Sequence, residues 1–118
     1  MKKITAKQVK KMLNRNNDVP VVNVLPEEHY RAKHIPGSVS VPLDQDSFVQ
    51  RVSHVAVGDK HSKVVVYCAD SGCGASPKAA EELERAGFEN VYDFEGGVKE
   101  WEDAGFALAG DDVHDKAE

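Results

Sequence analysis

Cysteine is scarce in this chain of 118 residues: Cys68 and Cys73 are the only two, far short of the disulfide framework of a small secreted scaffold. The histidines, His29, His34, His54, His61 and His114, do not bring those thiols up to the four well-spaced ligands of a structural zinc site, so neither metal nor cofactor is expected. Long apolar runs are missing too. No stretch reaches the roughly 18 residues of a membrane-spanning helix, and MKKITAKQVKKML lacks the continuous apolar segment and cleavage site of a secretory leader. The expectation is a cytoplasmic protein with no membrane partner. In that reducing setting, two close thiols point to redox or sulfur chemistry rather than to a staple. Cations are in deficit: 15 Lys and Arg face 20 Asp and Glu, a net charge of −5. That balance speaks against nucleic acid, whose phosphates call for excess positive charge. The lysines near the N-terminus recur at helical spacing and read as the solvated face of an amphipathic helix. No G-x-G-x-x-G or Walker pattern supports nucleotide binding, and no repeat or linker is visible.

What is present alternates between two periodicities. The length suits one domain, residues 1–110, followed by a polar tail at 111–118 that is expected to fray. Strands are predicted at 4–6, 19–25, 38–41, in KVVVYCA and in NVYDFEG. Between them lie helices. TAKQVKKMLNRN has Thr5 as its cap and Val9, Met12 and Leu13 on one face; PEEHYRAK opens on Pro26. Residues 44–57 place Phe48, Val52 and Val55 together and end at Gly58 and Asp59, and GVKEWEDAG is a short last helix. The helix after KVVVYCA takes Ser76 as N-cap, Pro77 as first helical residue and Gly87 just past its end. Apolar strands separated by helices imply an α/β fold: an open, mainly parallel β-sheet flanked by helices on both faces, with right-handed crossovers. Ligands of such sheets bind beyond the carboxyl ends of the strands, where Cys68 stands.

The stretch VVVYCADSGCGASPKAAEEL therefore carries the chemistry. A helix N-terminus aimed back at Cys68 favours an anion there. Gly72 and Gly74 permit positive φ, so the amides of Ala69, Asp70, Ser71, Gly72, Cys73, Gly74, Ala75 and Ser76 can turn inward as a nest around the sulfur. In such a cradle a thiol falls about two pH units below its ordinary ~8.5, roughly 3 kcal/mol in favour of the nucleophilic thiolate. The helix end supplies only ~0.3–1 kcal/mol of that, so directed hydrogen bonds must supply most. A carboxylate ~6 Å away opposes it by up to about 3 kcal/mol. Asp70 is accordingly expected to face outward or lie at the mouth.

Three blocks resemble the rhodanese family of single-domain sulfurtransferases. VVNVLPEEHYRAKHIPGSVSVPL is similar to the family's D-V-R-x-x-x-E-[FY]-x-x-G-H-I-P-G-A pattern, with Tyr30, His34, Ile35, Pro36 and Gly37 matching. Cys68 and ASPKAAEEL occupy the places of the catalytic cysteine and the following helix, and FENVYDFEGGVKEWEDAGF resembles the closing G-G-x-x-x-W-x-x-A-G block. The resemblance implies that Cys68 attacks a sulfane donor, carries the sulfur as a persulfide within the loop formed by residues 69–76, and passes it to a nucleophile. Implied partners are a small sulfane-sulfur donor or persulfide-carrying protein, and a thiol reductant or other sulfur acceptor. Asn23, Leu25, His29 and Lys33 replace the usual Asp, Arg, Glu and Gly; the loop is about two residues longer than the usual six and lacks the family's Arg, Ala75 preceding Ser76. Without a guanidinium, thiosulfate is expected to be a weaker donor than a thiol persulfide.

Cys73 either resolves a Cys68 persulfide through a disulfide or packs within the loop. Two other functions stand beside sulfur transfer. A noncatalytic rhodanese-like interaction or regulatory module uses the fold without the chemistry. An arsenate reductase or phosphatase wants Arg six residues after the cysteine, where Gly74 stands.

Overall fold

The computed structural model describes residues 1–15, 19–43 and 47–113. The described residues form β1 (Lys2–Lys3), α1 (Ala6–Arg15), β2 (Val21–Asn23), α2 (Glu27–Ala32), β3 (Val39–Ser40), α3 (Phe48–Val55), β4 (Lys63–Tyr67), α4 (Ala75–Arg85), β5 (Asn90–Phe94) and α5 (Gly97–Asp103). The five strands make one parallel sheet in the order β1-β5-β4-β2-β3. The expected open α/β sheet is what the chain builds.

Alternation along β4 explains the layers. Val64 and Val66 point to one face, where they join Val22, Phe48, Val52, Ala79, Ala80 and Leu83 beneath α3 and α4. Val65 and Tyr67 point to the other, packing with Val9, Ile35, Phe94 and Trp101 beneath α1 and α5. A strand covered on both faces has no polar side to alternate with, which is why KVVVY reads as a continuous apolar run.

Several predicted boundaries move. The first strand is Lys2–Lys3 rather than 4–6, although the Ile4 N–H still donates to the Asp93 carbonyl at 3.2 Å. Thr5 then acts as the cap it was expected to be: Gln8 N–H donates to Thr5 Oγ1 at 3.3 Å and Thr5 N–H to Gln8 Oε1 at 2.9 Å. The predicted helix at 44–57 is observed as Phe48–Val55, and residues 44–46 lie outside the described ones, as does Asn16 at the end of the first predicted helix. Residues 114–118 of the predicted tail also lie outside. Its first residues are tied down: the amides of Asp111 and Asp112 donate to the Arg31 and Ala32 carbonyls at 2.7 and 2.9 Å.

Beneath the sheet's carboxyl end runs a closed ring of hydrogen bonds. The Ile35 N–H donates to the Tyr67 hydroxyl at 3.1 Å, that hydroxyl pairs with Ser38 Oγ at 2.7 Å, and Ser38 Oγ donates to the Ile35 carbonyl at 2.6 Å. Each group has a partner, so the buried Tyr67 holds the HIPG turn against the sheet at little desolvation cost. On the turn's outer side His34 Nδ1 lies 2.7 Å from the Tyr30 carbonyl and the two rings stack at 3.9 Å. Removing the Tyr67 hydroxyl leaves the Ile35 N–H without an acceptor. Tyr67→Phe is expected to lower unfolding free energy by about 1–3 kcal/mol in denaturant titration, whereas a loss below about 0.5 kcal/mol means water replaces the ring.

Candidate functional site

Cys68 follows β4 directly, in the middle of the sheet. From β2 the chain turns toward β3 and from β4 toward β5, in opposite directions, so a crevice opens between the carboxyl ends of β2 and β4. Beside it, Val24, Leu25, Pro26, Leu43 and Ala75 line a groove of about 250 Å³ with Lys78 and Glu82 at its edge.

The loop is anchored from behind by α5. Val98 N–H donates to the Cys68 carbonyl at 3.0 Å and Lys99 N–H to the Ala69 carbonyl at 2.9 Å, so the free amides of a helix start are satisfied by the chain leaving β4. Such an approach needs a residue without Cβ: at Gly97, φ is +57° and an added Cβ would stand 2.0 Å from the Cys68 oxygen. Gly96 and Gly97 are the G-G pair of the closing sequence block. Gly97 is the member that requires left-handed backbone; Gly96 has φ −66°.

The front of the loop departs from the predicted nest. Neither Gly72 nor Gly74 has positive φ. Asp70, half-buried, folds the loop around itself. Its Oδ1 accepts the Gly72 N–H at 2.9 Å and its carbonyl accepts the Cys73 N–H at 3.0 Å. Two amides expected to face the sulfur are thereby taken. Asp-Ser-Gly is a pattern for such a side-chain-closed turn, and it was legible in the sequence. Ser71, Gly72 and Gly74 are exposed, while Ala69, Cys73 and Ala75 are half-buried. The helix also starts two residues earlier than predicted, with Gly74 at its N-cap; Ser76 lies inside the first turn, buried.

These shifts invert the expected electrostatics. Cys68 is 0 % exposed and packs with Val24, Val66 and Ala79. Its S–H points to carbonyls, those of Asp70 at 3.9 Å and Cys73 at 3.7 Å, both long contacts that favour the thiol. Burial, and after it a hydrogen bond shared with the Cys73 thiol, pushes Cys68 up to about 11, while the hydroxyl and N–H of Ser76 pull the other way. The Ser76 hydroxyl favours the anion by proximity: it completes no hydrogen bond of regular geometry and stays a buried, unpartnered oxygen. The predicted low-pKa thiolate is therefore corrected to a protonated resting thiol. The Ser76 N–H favours the anion, but it does not offset the desolvation of a buried charge. Among the described residues no group of side chains could hold a metal ion, and no helix is long and apolar enough to cross a membrane.

Two measurements follow from this geometry. Gly97→Ala is expected to cost at least about 2 kcal/mol in chemical denaturation, because left-handed backbone and a carbonyl clash act together; a neutral substitution would mean that the α5 contact is dispensable. Alkylation of Cys68, followed by peptide mass spectrometry, is expected to quicken about tenfold per pH unit from neutrality to about pH 10. A plateau near pH 7 would contradict the raised pKa. The sign carries over to stability. The unfolded thiol ionises near 9.0 and the native one near 11, so this group disfavours the fold as pH rises past 9.0 and has no effect well below it.

Comparison with known proteins agrees with this architecture. The model of the rhodanese-like domain family matches residues 5–104. An HTH-type transcriptional regulator of Mycobacterium tuberculosis is 34% identical over 91 residues, which cover 77% of this chain and 38% of the regulator. A tRNA uridine(34) hydroxylase of Buchnera aphidicola is 30% identical over 98 residues, 80% of this chain and 30% of the hydroxylase. The chain thus spans about a third of the length of these curated relatives. A thiosulfate sulfurtransferase from Pseudomonas aeruginosa superposes with a TM-score of 0.81 at 26% identity, over 93% of this chain and 20% of that one. With its sheet order, its cysteine at the carboxyl end of β4 and a family match over most of its length, the chain belongs to the rhodanese-like domain family.

Proposed function

We propose that the chain is a sulfurtransferase in which Cys68 takes sulfane sulfur from a thiol persulfide and delivers it to a thiol or another nucleophile. In the loading step the Cys68 sulfur attacks the outer sulfur of R–S–SH. The donor's sulfur–sulfur bond breaks, the electron pair leaves on R–S⁻, and the Cys68 proton goes to that leaving group. The products are Cys68–S–SH and R–SH, with no external oxidant or reductant. Membership of the family supports the sulfur chemistry. The single observation that carries the residue assignment is the place of Cys68 at the head of the β2–β4 crevice, with the Ser76 N–H on the side of the sulfur.

A protonated resting thiol fits this exchange, because the proton it holds is the one the departing thiolate takes up. Once loaded, the outer sulfur sits about 2 Å beyond the first and is more acidic than a thiol. The start of α4 is the anion-favouring element nearest to it. The donor class follows from what surrounds the crevice. No Lys or Arg occurs between Ala69 and Ser76, and Asp70 stands in the loop, so a dianion such as thiosulfate finds no guanidinium partner. The adjoining groove is mainly apolar and suits the carbon body of an organic persulfide. The absence of Arg at position 74 weighs equally against phosphatase or arsenate reductase chemistry.

One observation favours a second reading, a noncatalytic interaction module: the sulfur is sealed, and two loop amides are engaged by Asp70. Intact mass after incubation with a small thiol persulfide separates the two. The sulfurtransferase reading expects Cys73→Ser, in which Cys68 is the only thiol, to gain one sulfur atom and Cys68→Ser to gain none, with thiosulfate loading at least about tenfold more slowly. No adduct with either donor leaves the module, and equal loading from thiosulfate overturns the donor assignment.

A further inference from the structure

Cys73 is the remaining sulfur, and its position is specific. The turn closed by its own N–H on the Asp70 carbonyl at 3.0 Å reverses the loop and brings the Cys73 backbone back over the first cysteine. Its carbonyl oxygen lies 3.7 Å from the Cys68 sulfur. Its side chain packs against the same apolar cluster that contains Cys68. The two differ in access: Cys68 has no exposed surface, whereas Cys73 is half-buried. Exposed glycines flank it, and a Cβ built at Gly74 would meet nothing within 4 Å. The space beside Gly74 is open, and a disulfide requires the two α carbons to settle within ~7 Å of one another. No metal-binding group among the described residues gives the two thiols a shared task of another kind.

We propose that Cys73 is the resolving nucleophile of this site: it discharges the Cys68 persulfide as hydrosulfide and leaves a Cys68–Cys73 disulfide. The proposal rests on the sulfurtransferase reading above. The Cys73 sulfur, its proton given to solvent, attacks the inner sulfur, which is Cys68 Sγ. The bond between Cys68 Sγ and the outer sulfur breaks, and the outer sulfur leaves with the electron pair as HS⁻. That sulfur is reduced by two electrons, and the two cysteine sulfurs together lose two. A dithiol then reduces the disulfide, and the site returns to its starting state. The chain thereby converts a persulfide donor into free sulfide at the expense of a dithiol, and the loop is both sulfur carrier and redox pair. Burial of the carrier complements this arrangement. A sealed Cys68 persulfide is shielded from a second donor molecule, while the neighbouring thiol reaches it without diffusion.

The test compares the native chain with Cys73→Ser and Cys68→Ser after one loading with a small thiol persulfide, without added reductant. Released sulfide and intact mass are followed together. The native chain is expected to release one sulfide per chain and end two hydrogens lighter than its reduced form, with a Cys68–Cys73 peptide in a non-reducing digest. Cys73→Ser is expected to keep the added sulfur on Cys68 and to release sulfide at least about tenfold more slowly. Adding a dithiol should restore release in that variant and turnover in the native chain. The resolving role is overturned if Cys73→Ser releases sulfide at the native rate, or if the native chain keeps a persulfide on Cys68 with Cys73 free. Equilibration in a dithiothreitol redox buffer adds an arm that needs no donor: absence of the Cys68–Cys73 disulfide at every poise overturns the role as well. If Cys73→Ser gains no sulfur at all, sulfur transfer itself fails and the resolving step falls with it.

Discussion

The contact between the start of α5 and the chain leaving β4 sets the geometry of everything in front of it. A strand end in the middle of a parallel sheet exposes carbonyls with no ladder partner, and a helix start has amides with none. Here each satisfies the other, because Gly97 lets the two backbones meet at hydrogen-bond distance. With the Cys68 and Ala69 carbonyls fixed, the loop has only its remaining residues to reach α4, and Asp70 takes up that slack by closing a turn on Gly72 and Cys73.

The cost of this rigidity falls on the sulfur. Amides that close the turn are unavailable to an anion, and the carbonyls pointing at Cys68 select its protonated form. A carrier of sulfur has different needs from a free thiolate nucleophile. It must hold a reactive atom out of solvent between two exchanges, and a buried, protonated thiol with a second thiol beside it suits that task better than an exposed anion. In the sulfur-transfer reading proposed above, the tension between burial and reactivity is met by proximity instead of by a lowered pKa.

Much of this was legible before the structure. The apolar run KVVVY, bounded by turn residues, announced a central strand, and the capping residues around α4 announced the helix behind the cysteine; both depend on local patterns that tertiary packing reinforces. The capping box at Thr5 and Gln8 was half seen, through Thr5 alone. Orientation was harder. Two glycines in a loop license left-handed backbone but do not compel it, and whether amides face a sulfur or a carboxylate depends on a competition that Asp70 wins at close range. The groove beside the crevice joins residues from the β2–α2 segment, the β3–α3 segment and α4, distant in sequence, and no local pattern marks it.

Tyr67 and Cys68 are consecutive, and the pleat sends them to opposite faces of the sheet. One side of that peptide belongs to an all-satisfied polar ring and the other to a reactive sulfur. The HIPG turn is thus tied, through the Tyr67 hydroxyl, to the residue that directly precedes Cys68, and a partner touching that turn would bear on the backbone next to the sulfur without entering the crevice.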